Sequence, residues 1–306
     1  MKQRILVTAG AGDQGRAATR HLIAAGHTVV AMDRLPADDH RPQELVALGA
    51  EYVQADLADE ALVAKALTDV SVVFSVPVGP LDNEMAKVDN VAMLVKAAEK
   101  AGVEMFIQTS TAAAEYHIGV SDYGTGHTSD SYGTARLRLE ALVRRSNIPQ
   151  WVILRPVALM ENFIAPKVRG MFPWLKDGRL DSVHEDYMPA QLVSVQDVAK
   201  FAVAIIADPS RFDHETIDLC GDELTMPEAA LIFSTLTDKH VTHAHLSITQ
   251  AIAAGLRPGV AHSQEWANRV GYHAPSAADT KARWGVEMTS FEQWALAHQN
   301  QIEVNQ

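Results

Sequence analysis

The sequence predicts an α/β protein built on a doubly wound parallel sheet, with a smaller C-terminal lobe. Three observations carry this. Over the first 155 or so of 306 residues, short β-rich runs alternate with stretches of helical periodicity. The runs are nearly continuous in Val, Ile, Leu and Phe, as strands covered on both faces are. The first run also leads into a glycine-rich turn that opens a helix. The spacing predicts strands at 4–8, 28–33, 51–55, 70–76, 105–109 and 151–155. Helices are predicted between them at 15–25, 60–67, 90–101 and 135–146. Alternation repeated this often places helices on both faces of one sheet.

After Pro156 the alternation weakens. Residues 170–186 read as a loop, 194–207 as a helix and 215–219 as a strand. A helix over 227–237 is announced by Thr225 as N-cap, with Glu228 three residues on forming a capping box. Short helices are predicted at 247–254, 263–270, 277–284 and 290–297. The division is thus a sheet domain over 1–156 and a lobe over 157–306, with some elements of the lobe returning to the sheet.

Composition bounds the function. A 47% hydrophobic and 21% charged chain is that of an ordinary globular protein, with ample material for a core. The purest apolar run, from Phe201 to Ala207, has seven residues, against about 20 for a membrane span. Met1-Lys2-Gln3-Arg4 leads straight into the first strand, with no small-residue cleavage site of the signal-peptide kind. The formal net charge is −12, which does not attract a polyanion. The densest basic stretch, from Arg136 to Arg145, is spread along a helix and interrupted by Glu140. The single cysteine, Cys220, fits a reducing compartment and reads as a small buried residue after a strand. These features predict a cytoplasmic protein that binds neither nucleic acid nor membrane; a homo-oligomer is left open.

The strongest motif is Gly10-Ala11-Gly12-Asp13-Gln14-Gly15, between a buried strand and a helix. In that context it is a dinucleotide fingerprint, and the sheet domain becomes Rossmann-type. Gly10 is expected to permit the tight turn, Gly12 to admit a pyrophosphate, and Gly15 to let the helix pack on the strand. The helix N-terminus offers free N–H groups to the phosphates. Asp33, closing the second strand, can accept both adenosine ribose hydroxyls and repel a 2′-phosphate, which favours NAD. Arg34 follows, and a guanidinium there can pair with the 2′-phosphate of NADP. Asp56 and Leu57 stand where an adenine edge would lie, although Asp56 reads equally well as a turn residue capping the next helix.

The stretch from Val7 to Gly15 resembles the nucleotide loop of extended and atypical short-chain dehydrogenases/reductases, with Ala9 in place of the first glycine of Thr-Gly-x-x-Gly-x-x-Gly. Phe106-Ile107-Gln108-Thr109-Ser110-Thr111 resembles the strand that ends in that family's catalytic Ser/Thr. Ser131-Tyr132-Gly133-Thr134-Ala135-Arg136 resembles its Tyr-x-x-x-Lys segment, with arginine where lysine is expected. Leu154-Arg155-Pro156, Met160-Glu161-Asn162-Phe163, Val195-Gln196-Asp197-Val198 and the segment from Leu224 to Glu228 are similar to the NmrA-like branch. The resemblance implies Thr111 as carbonyl polariser, Tyr132 as acid/base and Arg136 as its electrostatic partner. It also implies cofactor contacts at Val76, Arg136 and Pro156.

Tyrosine donates a proton effectively when a cation lowers its pKa of about 10. Tyr132 and Arg136 are four apart and share a helix face. Arginine keeps the charge but passes no proton, because its pKa exceeds about 12. The function expected is an NAD(P)-dependent oxidoreductase that moves hydride between the nicotinamide and a small, largely apolar carbonyl, quinone or enone. The alternatives are an NAD(P)-binding redox sensor and a cofactor-independent Thr–Tyr–Arg enzyme resembling a halohydrin dehalogenase. His117 and His127 lie in a polar stretch between Thr111 and Tyr132, at the expected rim of the site; His117 is a candidate substrate contact, with an exposed loop histidine as the competing role for both. Met160 and Phe163 are candidate substrate-lining residues, with core packing as the competing role. His243 and His245 alternate as on one strand face, but no carboxylate or cysteine completes a metal set.

Overall fold

The computed structural model describes residues 2–80, 83–117 and 129–305; the side chains of His117, Ser129 and Asp130 are outside that description, as is all of His127. The chain forms two compact units. The first comprises Met1–Ile118, Ser131–Pro156 and Val198–Asp218. The second comprises Gly119–Asp130, Val157–Asp197 and Leu219–Gln306.

The first unit runs β1 (Arg4–Thr8), α1 (Asp13–Ala24), β2 (Thr28–Asp33), α2 (His40–Ala47), β3 (Glu51–Gln54), α3 (Glu60–Ala66), β4 (Val72–Ser75), α4 (Glu84–Ala101), β5 (Met105–Thr109), α5 (Ser129–Arg144) and β6 (Gln150–Pro156). The seven-stranded sheet has the order β3-β2-β1-β4-β5-β6, closed by a later strand beyond β6. The β2–β3, β1–β2, β1–β4, β4–β5 and β5–β6 pairs are parallel. This order reverses direction between β1 and β4, and ligands of such sheets bind outside the carboxyl ends there. The Thr8 hydroxyl stitches that point together, accepting from the Val76 N–H at 2.9 Å and facing the Val76 carbonyl at 3.1 Å. Leu6, Val30, Val73, Val91, Leu94, Phe106 and Leu139 are among the residues that fill the core.

Three helices depart from the sequence expectation. α2 was not foreseen, because only Pro42 and Leu45 of it are buried and two apolar residues make no periodicity. It is held instead by Asp39, whose side chain caps the Arg41 N–H. α4 starts six residues earlier than predicted, capped by Asn83, and its extra turns carry a buried lysine, Lys87. α5 also starts earlier, so Tyr132 lies inside the helix rather than at its start.

In the second unit β7 (Ala158–Leu159) is followed by the one-turn α6 (Val168–Met171), whose last two residues fall in the segment read as loop from residue 170. A short sheet joins β7, β8 (Ala190–Val193) and β10 (Asp222–Leu224). Between the last two in sequence run α7 (Val195–Ala207), α8 (Pro209–Phe212) and β9 (Thr216–Leu219), of which Val198–Asp218 belong to the first unit; β9 is the seventh strand of the large sheet. Then come α9 (Met226–Thr237), α10 (Ile248–Ala253), α11 (Pro258–Arg269), α12 (Ala277–Trp284) and α13 (Phe291–Ala297). The capping box of α9 is formed by Thr225 and Glu228 as read from the sequence.

Glu161 is a buried carboxylate that accepts from the Ser194 hydroxyl at 3.0 Å, the Val195 N–H at 3.2 Å and the Trp294 indole N–H at 3.1 Å. It thereby satisfies the N-terminus of α7 from 34 residues away in the chain. Burial pushes its pKa up, with the hydrogen bonds opposing. Cys220 is buried, which raises its thiol to about 12. His243 and His245 do not share a strand face. Only isolated bridges form there, Arg179 with Thr242 and Ser182 with His245. The His243 side chain is 1% exposed, 3.0 Å from Asp186, whereas His245 is 34% exposed. No helix among the described residues is long and apolar enough to cross a membrane.

Candidate functional site

An open cleft of about 230 Å³ lies at the carboxyl end of β1 and β2, lined by Ala9, Ala11, Gly12, Met32, Asp33, Arg34, Leu35, Arg41, Ala55, Leu57 and Val78. One glycine, Gly10, acts differently from expectation. The turn's left-handed residue is Ala9, with φ +49°, a conformation in which a Cβ is strained. Gly10 has no positive φ; its role is close approach, since a Cβ there would be 2.9 Å from the Ala31 Cβ. Gly15 is the tightest position: a Cβ would be 2.1 Å from the Ala9 carbonyl oxygen. Gly12 caps α1, and its carbonyl accepts from the Arg16 N–H at 2.8 Å. A Cβ at Gly12 would be 3.3 Å from the same Ala9 oxygen.

The residues of the loop are thus small for reasons visible in the structure, and the N-cap of the 12-residue α1, Gly12, lines the cleft and brings no side-chain cap of its own. Asp13 is in the first turn of that helix, 3.3 Å from Arg16, and the Gln14 Oε1 is buried with no hydrogen-bond partner. A phosphate-bearing ligand fits this cradle. Asp33 sits across from it. One carboxylate oxygen accepts from the Ala11 N–H at 3.1 Å and the other from the Leu35 N–H at 3.2 Å. The acid therefore locks the glycine loop to the end of β2 and keeps lone pairs for hydroxyl donors.

Two arginines line the cleft with Asp33. Arg34 is 3.8 Å from Asp56 and largely exposed. Arg41, supplied by the unforeseen α2, is held by Asp39 through two 3.0 Å hydrogen bonds from its guanidinium. That pairing holds the Asp39 carboxyl down at about 2. Asp56 also accepts from the Ala58 N–H at 3.0 Å, as a turn residue does, but it does not cap the next helix: Asp59 caps α3, accepting from the Ala61 and Leu62 N–H groups. Tyr52 donates to the Leu35 carbonyl at 2.6 Å; burial and the neighbouring Asp33 raise its hydroxyl to about 12. Sequence reasoning missed Arg41, Tyr52 and the stitching role of Thr8. Thr8 carried the only signal, as the threonine before the glycine loop.

The catalytic candidates belong to the first unit. The Arg136 guanidinium lies 4.7 Å from the centre of the Tyr132 ring, a cation–π contact. Arg136 is buried and 3.8 Å from Glu84. Thr111 is buried after β5, its hydroxyl 3.5 Å from the Pro156 carbonyl at the end of β6. Val76 is tied to Thr8, whereas Val76, Pro156 and Arg136 do not line the cleft. His117 ends a short 3₁₀ turn. Met160 and Phe163 are fully buried in the core of the second unit. Phe163 stacks on Phe172 at 4.4 Å and meets Phe291 edge-on at 5.2 Å. That packing accounts for both residues and lends no support to a substrate-lining role.

The sheet order, the crevice at its reversal and the loop define a Rossmann-type fold. The chain belongs to the NmrA-like family, whose model matches residues 1–295. It is 29% identical over 206 residues to the (4-alkanoyl-5-oxo-2,5-dihydrofuran-3-yl)methyl phosphate reductase of Streptomyces griseus. That match covers 66% of this chain and 62% of the enzyme, less than two thirds of its length. The fold is shared with the NADPH-dependent quinone oxidoreductase of Escherichia coli in its NADPH complex (TM-score 0.74, 23% identity, 96% of this chain and 99% of that one). It is shared equally with NmrA, a negative transcriptional regulator, in its NAD complex (TM-score 0.74, 17% identity, 96% and 94% covered).

Proposed function

We propose that this chain is an NAD(P)-dependent oxidoreductase acting on a small, largely apolar carbonyl, quinone or enone. The observation that carries the reading is the cradle of Gly12, Gly15 and the α1 N-terminus, locked to Asp33 by the 3.1 Å bond from Ala11. The α1 N–H groups would hold the pyrophosphate, Asp33 would take the adenosine ribose, and Ala55, Leu57 and Val78, which line the cleft, would bound the adenine. When bound, the nicotinamide supplies or accepts a hydride. Tyr132 holds the proton delivered to the substrate oxygen, Thr111 orients that oxygen, and Arg136 stabilises charge at the Tyr132 ring. NAD is preferred, because both cleft arginines already have carboxylate partners and a 2′-phosphate would meet Asp33, Asp39 and Asp56.

A second reading, a dinucleotide sensor with little turnover, is favoured by Arg136, which holds charge but relays no proton. Titration with NADH and NADPH, followed by nicotinamide fluorescence, tests the shared step. Micromolar binding with NADH tighter is expected; no binding of either overturns both readings. Menadione reduction, followed by NADH absorbance, then separates them. Tyr132→Phe lowers turnover by about 100-fold or more in an enzyme while leaving NADH affinity within threefold.

A further inference from the structure

Behind the Tyr132–Arg136 pair lies a buried charge cluster that the reaction scheme above does not use. Glu84 and Lys87 are one turn apart at the start of α4, with side chains 14% and 10% exposed. The Lys87 ammonium is 2.5 Å from the Glu84 Oε1. The other carboxylate oxygen faces the Arg136 Nη2 at 3.8 Å, beyond hydrogen-bond reach. Both that Oε2 and the Arg136 Nε are buried without a hydrogen-bond partner. Lys87 is also tightly seated: a Cβ on Gly79 would come within 2.8 Å of its Cγ.

A buried guanidinium and a buried carboxylate with unmet donors and acceptors attract one another strongly, and a two-pronged pair is their favoured arrangement. Here that pair has not formed, and the guanidinium lies over the Tyr132 ring instead. We infer that Lys87 is a positioning residue: by holding Glu84 on its first oxygen, it keeps the carboxylate from collapsing onto Arg136, so that Arg136 stays over Tyr132. Glu84 supplies the counter-charge that lets two cations share the site. This rests on the oxidoreductase reading for its effect on turnover, but not for the geometry.

The two substitutions have opposite logic, which makes the inference testable. In Lys87→Met, Glu84 is released onto Arg136, and the guanidinium leaves the ring. In Lys87→Met/Glu84→Gln, the competing carboxylate is gone and Arg136 returns. Protein carrying 3-fluorotyrosine, with the Tyr132 signal assigned through Tyr132→Phe, is read by fluorine NMR without cofactor. The Tyr132 resonance is expected to move in Lys87→Met, to return toward the wild-type position in the double variant, and to stay in place in Lys87→Arg. Menadione turnover follows the same order: about 10-fold lower kcat in Lys87→Met, with recovery to within about threefold of wild type in the double variant. A merely structural lysine predicts the reverse, a double variant more impaired than the single one. That result, or a Tyr132 signal unmoved by Lys87→Met, overturns the inference. A wild-type protein that neither binds nor oxidises NADH overturns the function proposed above, and the NMR comparison still decides the geometry.

Discussion

Gly15→Ala tests the cradle most directly. The added methyl would start 2.1 Å from the Ala9 carbonyl oxygen, 2.7 Å from the Ala9 carbonyl carbon and 2.8 Å from the Gly10 Cα. Ordinary contact begins at about 3.4 Å, so the helix start and the loop must separate by about 1.3 Å. All three obstacles are backbone atoms, and no flexible side chain can yield. Overpacking of this kind costs about 1–3 kcal/mol of stability, and the absence of a yielding group places this site at the upper end. The same displacement carries the α1 N–H groups away from the pyrophosphate. Hydrogen bonds to a charged group contribute about 1.5–3 kcal/mol each, so loss of two weakens NADH binding by about 100-fold or more. Gly12→Ala is the control: its methyl meets the Ala9 oxygen at 3.3 Å, which a few tenths of an ångström relieves. Stability is then nearly kept while the methyl stands in the phosphate path. Thermal unfolding and NADH fluorescence titration read both quantities. Gly15→Ala protein with wild-type melting temperature and NADH affinity within threefold would refute the reasoning.

Three further outcomes follow from the structure. Ala9→Gly relieves the left-handed φ of +49° and is expected to stabilise the protein by about 0.5–1 kcal/mol, read as a higher urea midpoint; a lower midpoint contradicts the strain argument. Glu140 is fully buried, and its carboxylate takes two 2.8 Å bonds from Arg155 and one of 2.9 Å from Arg144; these hold its pKa below the ordinary range against the opposing effect of burial. Its stabilisation is present above the unfolded carboxylate value of about 4.3 and is lost as pH falls through the lowered folded value. Glu140→Gln should therefore cost about 3–5 kcal/mol at pH 7 and progressively less toward pH 3 in urea titrations; a gap that does not narrow is the adverse result. Asp33→Ala removes the acceptor shared by Ala11 and Leu35 and should shift the NADH-to-NADPH affinity ratio toward NADPH by about 10-fold, measured by fluorescence.

Much of the first unit could be read from the chain because its signals are local. The strands at 28–33 and 105–109 match β2 and β5 residue for residue, since a two-face-buried strand writes itself as a continuous apolar run. The glycine loop was equally visible, because close backbone approach admits no other residue at Gly15. α2 was invisible for the opposite reason: it buries two residues and is fixed by a cap, so the arginine it brings to the cleft could not be anticipated.

The class of fold, the glycine-rich loop between β1 and α1, Asp33 at the end of β2 and the helical pairing of Tyr132 with Arg136 were all legible in the chain. Each depends on neighbours within a few residues, where spacing alone dictates geometry. That Ala9 rather than Gly10 takes the left-handed turn, and that Phe163 packs among Phe172, Phe233 and Phe291, emerged from the folded chain alone. So did the placing of Glu84 and Lys87 behind Arg136. Those three outcomes depend on backbone and side chains brought together from distant parts of the chain, and burial gives charges there a strength that spacing does not encode.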